Sequence, residues 1–373
     1  MTERIQASGL EEVVAATTRL SDVDGDQGRL VLAGYPVEDV AGQIPFGDAM
    51  HLLFRGSLPT TAQRDSLGEA LGEAREAAFE RIGELGDALA LPDAMDALRA
   101  SVAYLGAVAG EEPLAEAVRV VSAVAVFAAG WARQPSPVRP DPRLPHAADY
   151  LRMIRGTVPK PAEIAALDAY LVTVIDHGMN ASTFAARVVA STASDTISAV
   201  VAAIGALKGK LHGGAPGPVL DMLDAIGEPD KARPWVSAAL GRGERVMGMG
   251  HRVYRVRDPR AFVLERAIAE LESSSDAASP IGQRLRLARA VEKEAEAQLA
   301  SRHPDRPLKA NVEFYTAVLL EALGLPRTLF TPTFASSRAA GWCAHVDEQR
   351  TYGRLIRPKS RYVNLGIDLN ERA

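Results

Sequence analysis

Apolar residues recur at three- and four-residue spacings through most of this chain, as expected of helices that bury one face. The spacing predicts helical segments over Val37–Leu58, Thr60–Leu91, Asp93–Tyr104 and Leu114–Trp131, with Pro36, Pro45, Pro59 and Pro92 as stops. Leu114–Trp131 is apolar nearly all round, which places it in the middle of a bundle. The segment QPSPVRPDPRLP, Gln134–Pro145, holds five prolines and excludes a helix or a central strand. Pro161 and Glu163 then start a helix that runs toward His177, and Ser182–Leu207, rich in Ala, Val and Ile, reads as another interior helix. A glycine-rich break, Lys208–Val219, follows. Ala261–Leu271, Ile281–Ala300, Asn311–Leu323 and Thr333–Gln349 carry further helical patterns, and the basic tail YGRLIRPKSRYVNLG does not. Strand signals are confined to the first 35 residues, where Asp24-Gly25 and Gln27-Gly28 predict a small hairpin, and more weakly to the tail. The fold class expected is all-α with a minor N-terminal β-hairpin.

A length of 373 residues exceeds what one core usually fills, so two domains, or one with an insertion, are expected. Hydrophobic residues at 47% and charged residues at 24% argue against disorder. The net charge of −5 supplies no global basic field for nucleic acid or anionic lipid, so any anion binding must be local. The polar N-terminus has no secretory pattern, and the longest apolar stretch, Val120–Ala132, falls short of the ~20 residues a membrane span requires. A cytoplasmic protein with no membrane span is the expectation. The single cysteine, Cys343, excludes an intramolecular disulfide and reads as a small buried hydrophobe. No GxGxxG follows a strand, no GxxxxGK[ST] or HExxH occurs, and no repeat of fixed period is visible.

The densest chemistry lies in Gly248–Arg260, GMGHRVYRVRDPR, with one histidine and four arginines within ten residues. Guanidinium forks bind carboxylate or phosphate bidentately at any physiological pH, so this composition suits a small, multiply charged anion; a solvated basic loop is the alternative. Three histidines sit at glycine-flanked breaks: His177 in DHGMNAST, His212 in LHGGAPG and His251 in GMGHRV. One alone would read as a structural histidine, but three invite a site where a ligand approaches the backbone closely. Asp176 adjoins His177, yet the spacing matches no usual zinc pattern, and no metal is expected.

The ordered motifs DHGMNASTFAARVVAST, GALKGKLHGGA, GMGHRVYRVRDPR, NVEFY, LFTPTFASSRAAGWCAHVDEQ and IRPKS resemble the citrate synthase family over nearly the full length. That resemblance implies condensation of an acyl-CoA with an α-keto acid: proton abstraction from the acyl methyl, attack on the ketone, and thioester hydrolysis. By motif, Glu313 would be the base, His212 would hydrogen-bond the thioester oxygen and His251 would polarise the ketone of oxaloacetate. His177, Arg260 and Arg338 would hold its carboxylates, Arg357 would come from the neighbouring subunit of a homodimer, and Arg255, with Arg306, would face the CoA phosphates. Arg252 and Arg257 keep a surface reading, and Asn180 and Ser182 read either as helix caps or as partners that orient His177 or His212. The coenzyme A thioester is a co-substrate, and no tightly bound cofactor is expected. The implied architecture is a large helical domain of residues 1–212 and 320–373 and a smaller one of residues 213–319, hinged near His212. The chain departs from the family pattern at Glu313, where aspartate is usual, at Lys210 for proline and at Pro216 for asparagine. Acetyl-CoA is the acyl donor expected; propionyl-CoA, giving 2-methylcitrate, and a weakly active binding paralogue marked by Glu313 are the alternatives.

Overall fold

The computed structural model describes residues 9–10, 13–213, 216–250, 254, 256–274, 280–304, 308–360 and 362. It opens with a small antiparallel sheet in which β1 (Ser21–Asp24) pairs with β2 (Arg29–Leu32), Ser21 opposite Leu32 and Asp24 opposite Arg29. Asp24 sets the turn, its Oδ1 accepting from the amides of Asp26 and Gln27 at 3.1 and 2.9 Å. The expected hairpin is therefore present, and a two-residue β3 (Tyr35–Pro36) extends it. No strand occurs among the described residues of the tail.

Helices account for the rest. The first predicted run divides at Ala41–Pro45 into α1 (Val37–Val40) and α2 (Phe46–Arg55). Next comes α3 (Thr61–Glu80), closed at its start by a Thr60–Gln63 capping box and followed by two short 3₁₀ turns where a continuous helix to Leu91 was predicted. It is followed by α4 (Ala94–Ala103), α5 (Pro113–Ala132), α6 (His146–Arg155) and α7 (Pro161–Val174). Ser182–Leu207 is not one helix but two, α8 (Ala181–Ala190) and α9 (Thr196–Leu207). Ser191 and Thr192 turn their hydroxyls onto the carbonyls of Val188 and Val189, Ala193 takes φ +63°, and Asp195 caps the restarted helix by accepting from Ser198 N–H at 2.8 Å. These side chains compete with the helical backbone bonds, a signal that an apolar count overlooks. The remaining helices are α10 (Pro216–Ile226), α11 (Ala232–Gly241), α12 (Pro259–Ser273), α13 (Pro280–Arg302), α14 (Val312–Ala322) and α15 (Phe330–Tyr352).

At the centre, α5 is enclosed by α3, α4, α6 and α15. By length and composition it could cross a membrane, being twenty residues long where the apolar stretch alone suggested thirteen, but its surface is mostly buried against these neighbours. Elsewhere α11 packs on α13 and α10 on α14, while α12 lies on both α14 and α7. The end of α7 meets α15 at backbone distance: a Cβ on Gly341 would come within 2.3 Å of the Ile175 carbonyl oxygen.

The proline-rich segment is held from below by a buried ion pair. Arg75 of α3 donates through Nε to Asp149 of α6 at 2.8 Å, both side chains fully buried, and through Nη2 to the Leu144 carbonyl at 2.8 Å. Asp149 also accepts from the Asp141 amide and from Arg152. Removing one member of such a pair strands a buried charge, so Asp149→Ala is expected to lower unfolding free energy by about 3–5 kcal/mol at neutral pH. Urea denaturation measures this, and a loss below about 1 kcal/mol would show that the loop is held by other contacts.

Candidate active site

Two helix N-termini meet at one carboxylate. Asp258 caps α12 by accepting from the Arg260 amide at 3.0 Å, and it also receives the Arg260 guanidinium bidentately, from Nε at 3.0 Å and Nη2 at 2.8 Å. Its second oxygen accepts from the Val312 amide at 3.1 Å, at the first residue of α14 and next to Glu313. Asn311 caps α14, accepting from the amides of Glu313 and Phe314 at 3.0 and 3.4 Å while its Nδ2 donates to the Gly250 carbonyl at 2.7 Å. The Asn311 amide donates to Gly248 and the Gly250 amide to Lys309, so the glycine-rich head of the arginine stretch forms a short antiparallel bridge with the residues leading into Glu313. Gly248 is required there: its φ is +77°, and a Cβ would stand 2.8 Å from that of Phe314.

Arg260 is buried, and its guanidinium lies 5.7 Å from the ring centroid of Tyr254. The Tyr254 hydroxyl is 3.1 Å from His177 Nε2, and the two rings meet edge to face at 5.7 Å. Arg338 reaches the same region from α15. Its Nε donates to the Val174 carbonyl at 2.7 Å, its charge sits 4.7 Å from the Phe334 ring centroid, and its buried Nη2 has no hydrogen-bond partner among the described residues. Both guanidiniums act on Glu313. Burial raises the Glu313 carboxyl to about 7, with Asp258 adding to the rise and Arg260 and Arg338 opposing it. Burial lowers Arg338 to about 10; it works against the charge of Arg260 as well, but Asp258 holds that guanidinium above its ordinary value.

His212 stands beside this cluster, its Nε2 2.8 Å from Ser182 Oγ. That hydroxyl also receives Trp342 Nε1–H at 3.1 Å and donates to Asn180 Oδ1 at 2.8 Å. With its one proton spent on Asn180, Ser182 accepts from His212 Nε2–H and leaves Nδ1 bare. Burial, helped by the charge of Arg338, holds the imidazole down at about 4, so it is neutral at physiological pH. Of the two readings, Asn180 takes the first, capping α8, and Ser182 the second, meeting His212 directly. Behind His177 the buried Asp176 accepts from Ser21 Oγ at 2.5 Å and from His345 Nε2 at 3.2 Å; burial works to raise it, but His345, Arg338 and Ser21 keep it at about 2. His345 Nδ1 in turn receives Arg187 Nη1 at 2.8 Å.

The structure therefore brings His177, His212, Arg260, Glu313 and Arg338 into one region. Arg357 is exposed on an extended segment held to Ser191 through the Ile356 amide and forms no hydrogen bond or ion pair with them. His251, Arg252, Arg255 and Arg306 lie outside the described residues. Arg257 keeps part of its surface reading, its side chain 34% exposed, but it also ion-pairs with Glu265 at 2.9 Å and Glu292 at 3.0 Å and lies 5.9 Å from the Tyr315 ring centroid, bracing α12 against α13. Asp258, Tyr254 and Trp342 were not singled out by their types alone. For Asp258 a signal exists, because an aspartate before proline at a helix start is an N-cap pattern.

Comparison with known proteins follows the same lines. Residues 9–359 match the family model described as citrate synthase, C-terminal domain. The chain is 39% identical to the citrate synthase of Haloferax volcanii, over 95% of each protein, and 39% identical to the 2-methylcitrate synthase of Mycobacterium tuberculosis, over 95% of this chain and 89% of that one. Among solved structures it superposes on the citrate synthase of Thermotoga maritima with a TM-score of 0.82, 33% identity and 99% coverage of both chains. It also superposes on a ternary complex of carboxymethyl coenzyme A and oxaloacetate with the citrate synthase of Thermoplasma acidophilum, with a TM-score of 0.85, 29% identity and 98% coverage of both. With its helical architecture, its arginine pair and its match along almost the whole length, the chain belongs to the citrate synthase family.

Proposed function

We propose that this chain is a citrate synthase, an acyltransferase that condenses acetyl-CoA with oxaloacetate and water to give citrate and CoA. The observation that carries the reading is the buried pair Arg260 and Arg338 flanking a carboxyl raised to about 7, a cationic pocket for a dianion with a base at its edge. Arg260, Arg338 and His177 bind the keto-acid carboxylates, Arg357 of a neighbouring subunit completes the pocket in a homodimer, and His251 polarises the ketone. Glu313 removes a proton from the acetyl methyl, and His212 holds the enolate oxygen that forms. The enolate carbon bonds to the ketone carbon, the ketone oxygen takes a proton, and water then cleaves the thioester, releasing CoA as the thiol. For His212 to donate from Nδ1, Ser182 turns its O–H from Asn180 onto Nε2; Asn180 keeps the amides of Ser182 and Thr183 when it does so. Arg255 and Arg306 serve the CoA phosphates, and CoA thioester enters as co-substrate with no tightly bound cofactor. Residues 213–319 form the smaller domain, closing over the keto acid, and the protein acts in the cytoplasm.

Two other readings have specific support. The equal identity to a 2-methylcitrate synthase favours propionyl-CoA as an alternative donor, since one methylene in an apolar pocket is worth only about 1–3 kcal/mol. Glu313 in place of aspartate favours a weakly active binding paralogue, because an added methylene displaces the carboxylate and about 1 Å of misplacement can cost on the order of a hundredfold.

Thiol release with oxaloacetate and each acyl-CoA at equal concentration separates these readings. Acetyl-CoA is expected to be preferred, with kcat/KM rising with pH around the Glu313 value of about 7. Preference for propionyl-CoA would make the enzyme a 2-methylcitrate synthase, and no turnover with either would leave the paralogue. Glu313→Gln is expected to lose roughly 10²–10⁴ in kcat.

The same variant tests the electrostatics without turnover. The folded state holds the Glu313 proton more tightly than the unfolded chain, so the wild type loses stability as pH rises from the ordinary carboxylate range to about 7. Glu313→Gln is therefore expected to be more stable than wild type at pH 8, by up to about 2–3 kcal/mol, with the advantage shrinking toward pH 4. Calorimetry at the two pH values checks the sign.

Mixing Arg357→Ala with Glu313→Gln tests the shared site. Subunit exchange in a homodimer with a donated arginine regenerates one intact site per mixed dimer, about a quarter of wild-type activity. Absence of recovery in dimers shown to have exchanged would place Arg357 in its own subunit's site or in none.

A further inference from the structure

Tyr170 lies on α7, the helix that packs against α12, α14 and α15, which carry Arg260, Glu313 and Arg338 respectively. It stands one turn before Val174, whose carbonyl receives Arg338 Nε, and so faces the side from which Arg338 enters. The side chain is fully buried, and its hydroxyl has no hydrogen-bond partner among the described residues. A buried phenol almost always finds a partner, so an empty one beside a reactive cluster points to a bond made in another state of the same site. The groups that act on it electrostatically are Glu313, Tyr150, Arg338 and Arg260. Neither guanidinium can accept a hydrogen bond; the Tyr150 hydroxyl spends its proton on Thr333 Oγ1 at 2.9 Å, since Thr333 gives its own to the Leu329 carbonyl, and keeps a neutral oxygen that can accept. Asp258, also close to Glu313, is already taken by Arg260 and the Val312 amide. Among these neighbours the acceptors open to it are the neutral Tyr150 oxygen and the Glu313 carboxylate; the carboxylate, which takes no hydrogen bond from any described residue, is charged and so the stronger of the two.

We propose that Tyr170 is a positioning residue for Glu313, its O–H donating to the carboxylate when Glu313 is ionised and fixing the longer side chain in the attitude from which it takes the substrate proton. The glutamate has one more rotatable bond than the family's aspartate, and the phenol supplies the restraint which that bond demands. The bond strengthens as Glu313 becomes charged and weakens when it is protonated. Other charges near Glu313 are fixed in their own pairs. On one side Asp258 is bound to Arg260; on the far sides of α14, Glu292 is held by Tyr315 and Arg257, and Asp224 and Glu321 by Arg284 and Arg327. Arg338 retains a free Nη2 for a ligand carboxylate.

The test compares Tyr170→Phe in the wild-type and Glu313→Asp backgrounds. Its first readout is the carboxyl band of Glu313 in the infrared, identified by difference against Glu313→Gln and titrated in the unliganded protein, which requires no turnover. Loss of a donor to the charged form is expected to raise the Glu313 pKa by about one unit in Tyr170→Phe. The second readout, resting on the citrate synthase reading, is steady-state kinetics: kcat is expected to fall about tenfold with KM for oxaloacetate unchanged, and to fall much less in the Glu313→Asp background. An unmoved infrared pKa overturns the proposal. So does a raised KM for oxaloacetate with the Glu313 titration unmoved, which would put the phenol on the keto acid. If the wild type turns over neither acyl-CoA, the functional reading fails while the infrared titration still decides the Tyr170–Glu313 bond.

Discussion

The carboxylate of Asp258 is the constraint on which the site depends. One side chain caps α12, neutralises Arg260 and accepts the amide that precedes Glu313, so cation, base and two helix starts share a single anchor. A buried guanidinium held by one bidentate partner has its orientation fixed before any ligand arrives, and so pays little reorganisation on binding. The Asn311 cap and the Gly248–Gly250 bridge fix the other edge of the same corner. The two ladders together determine where the head of the arginine stretch lies relative to the base.

Arg338 is anchored by different means. Among the described residues it has no carboxylate partner, only the Val174 carbonyl and the face of Phe334, and Asp176 compensates its charge at longer range. Its unpaired Nη2 and the unpaired Tyr170 hydroxyl would each cost about 1–3 kcal/mol if they stayed unmet. Such costs persist where a ligand or a second state of the site satisfies the groups, and both groups lie where α7, α12, α14 and α15 converge. The close crossing of α7 and α15 at Gly341 keeps the Val174 carbonyl within reach of Arg338.

Much of this was legible in the sequence because it rests on local signals. Proline stops, capping residues and helical spacing locate most helices to within a few residues, and the family motifs name His177, His212, Arg260, Glu313 and Arg338, which the fold brings together. What was not legible depends on distant partners. The α8–α9 break comes from Ser191, Thr192 and Asp195 competing with the helix, which a run of Ala and Val conceals. Arg257 reads as a surface charge until Glu292, thirty-five positions later, is brought beside it. Tyr170 reads as one more apolar position of α7, since the period of the helix says that it is buried but not that its hydroxyl lacks a partner.

The balance at Glu313 shows why burial and positive charge must act together. Burial alone would hold the carboxyl protonated at neutral pH and make it a poor base; the arginines alone would ionise it so fully that it would be a weak one. With Arg260 partly cancelled by Asp258 and Arg338 without a carboxylate partner among the described residues, the opposing effects leave the Glu313 carboxyl at about 7. Binding a dianionic keto acid between the two guanidiniums would cancel much of the field that favours ionisation and raise the carboxyl further, so the ionised form would be scarcer but more basic toward a weakly acidic methyl group. A dianion seated between the two guanidiniums would thus also set the strength of the base.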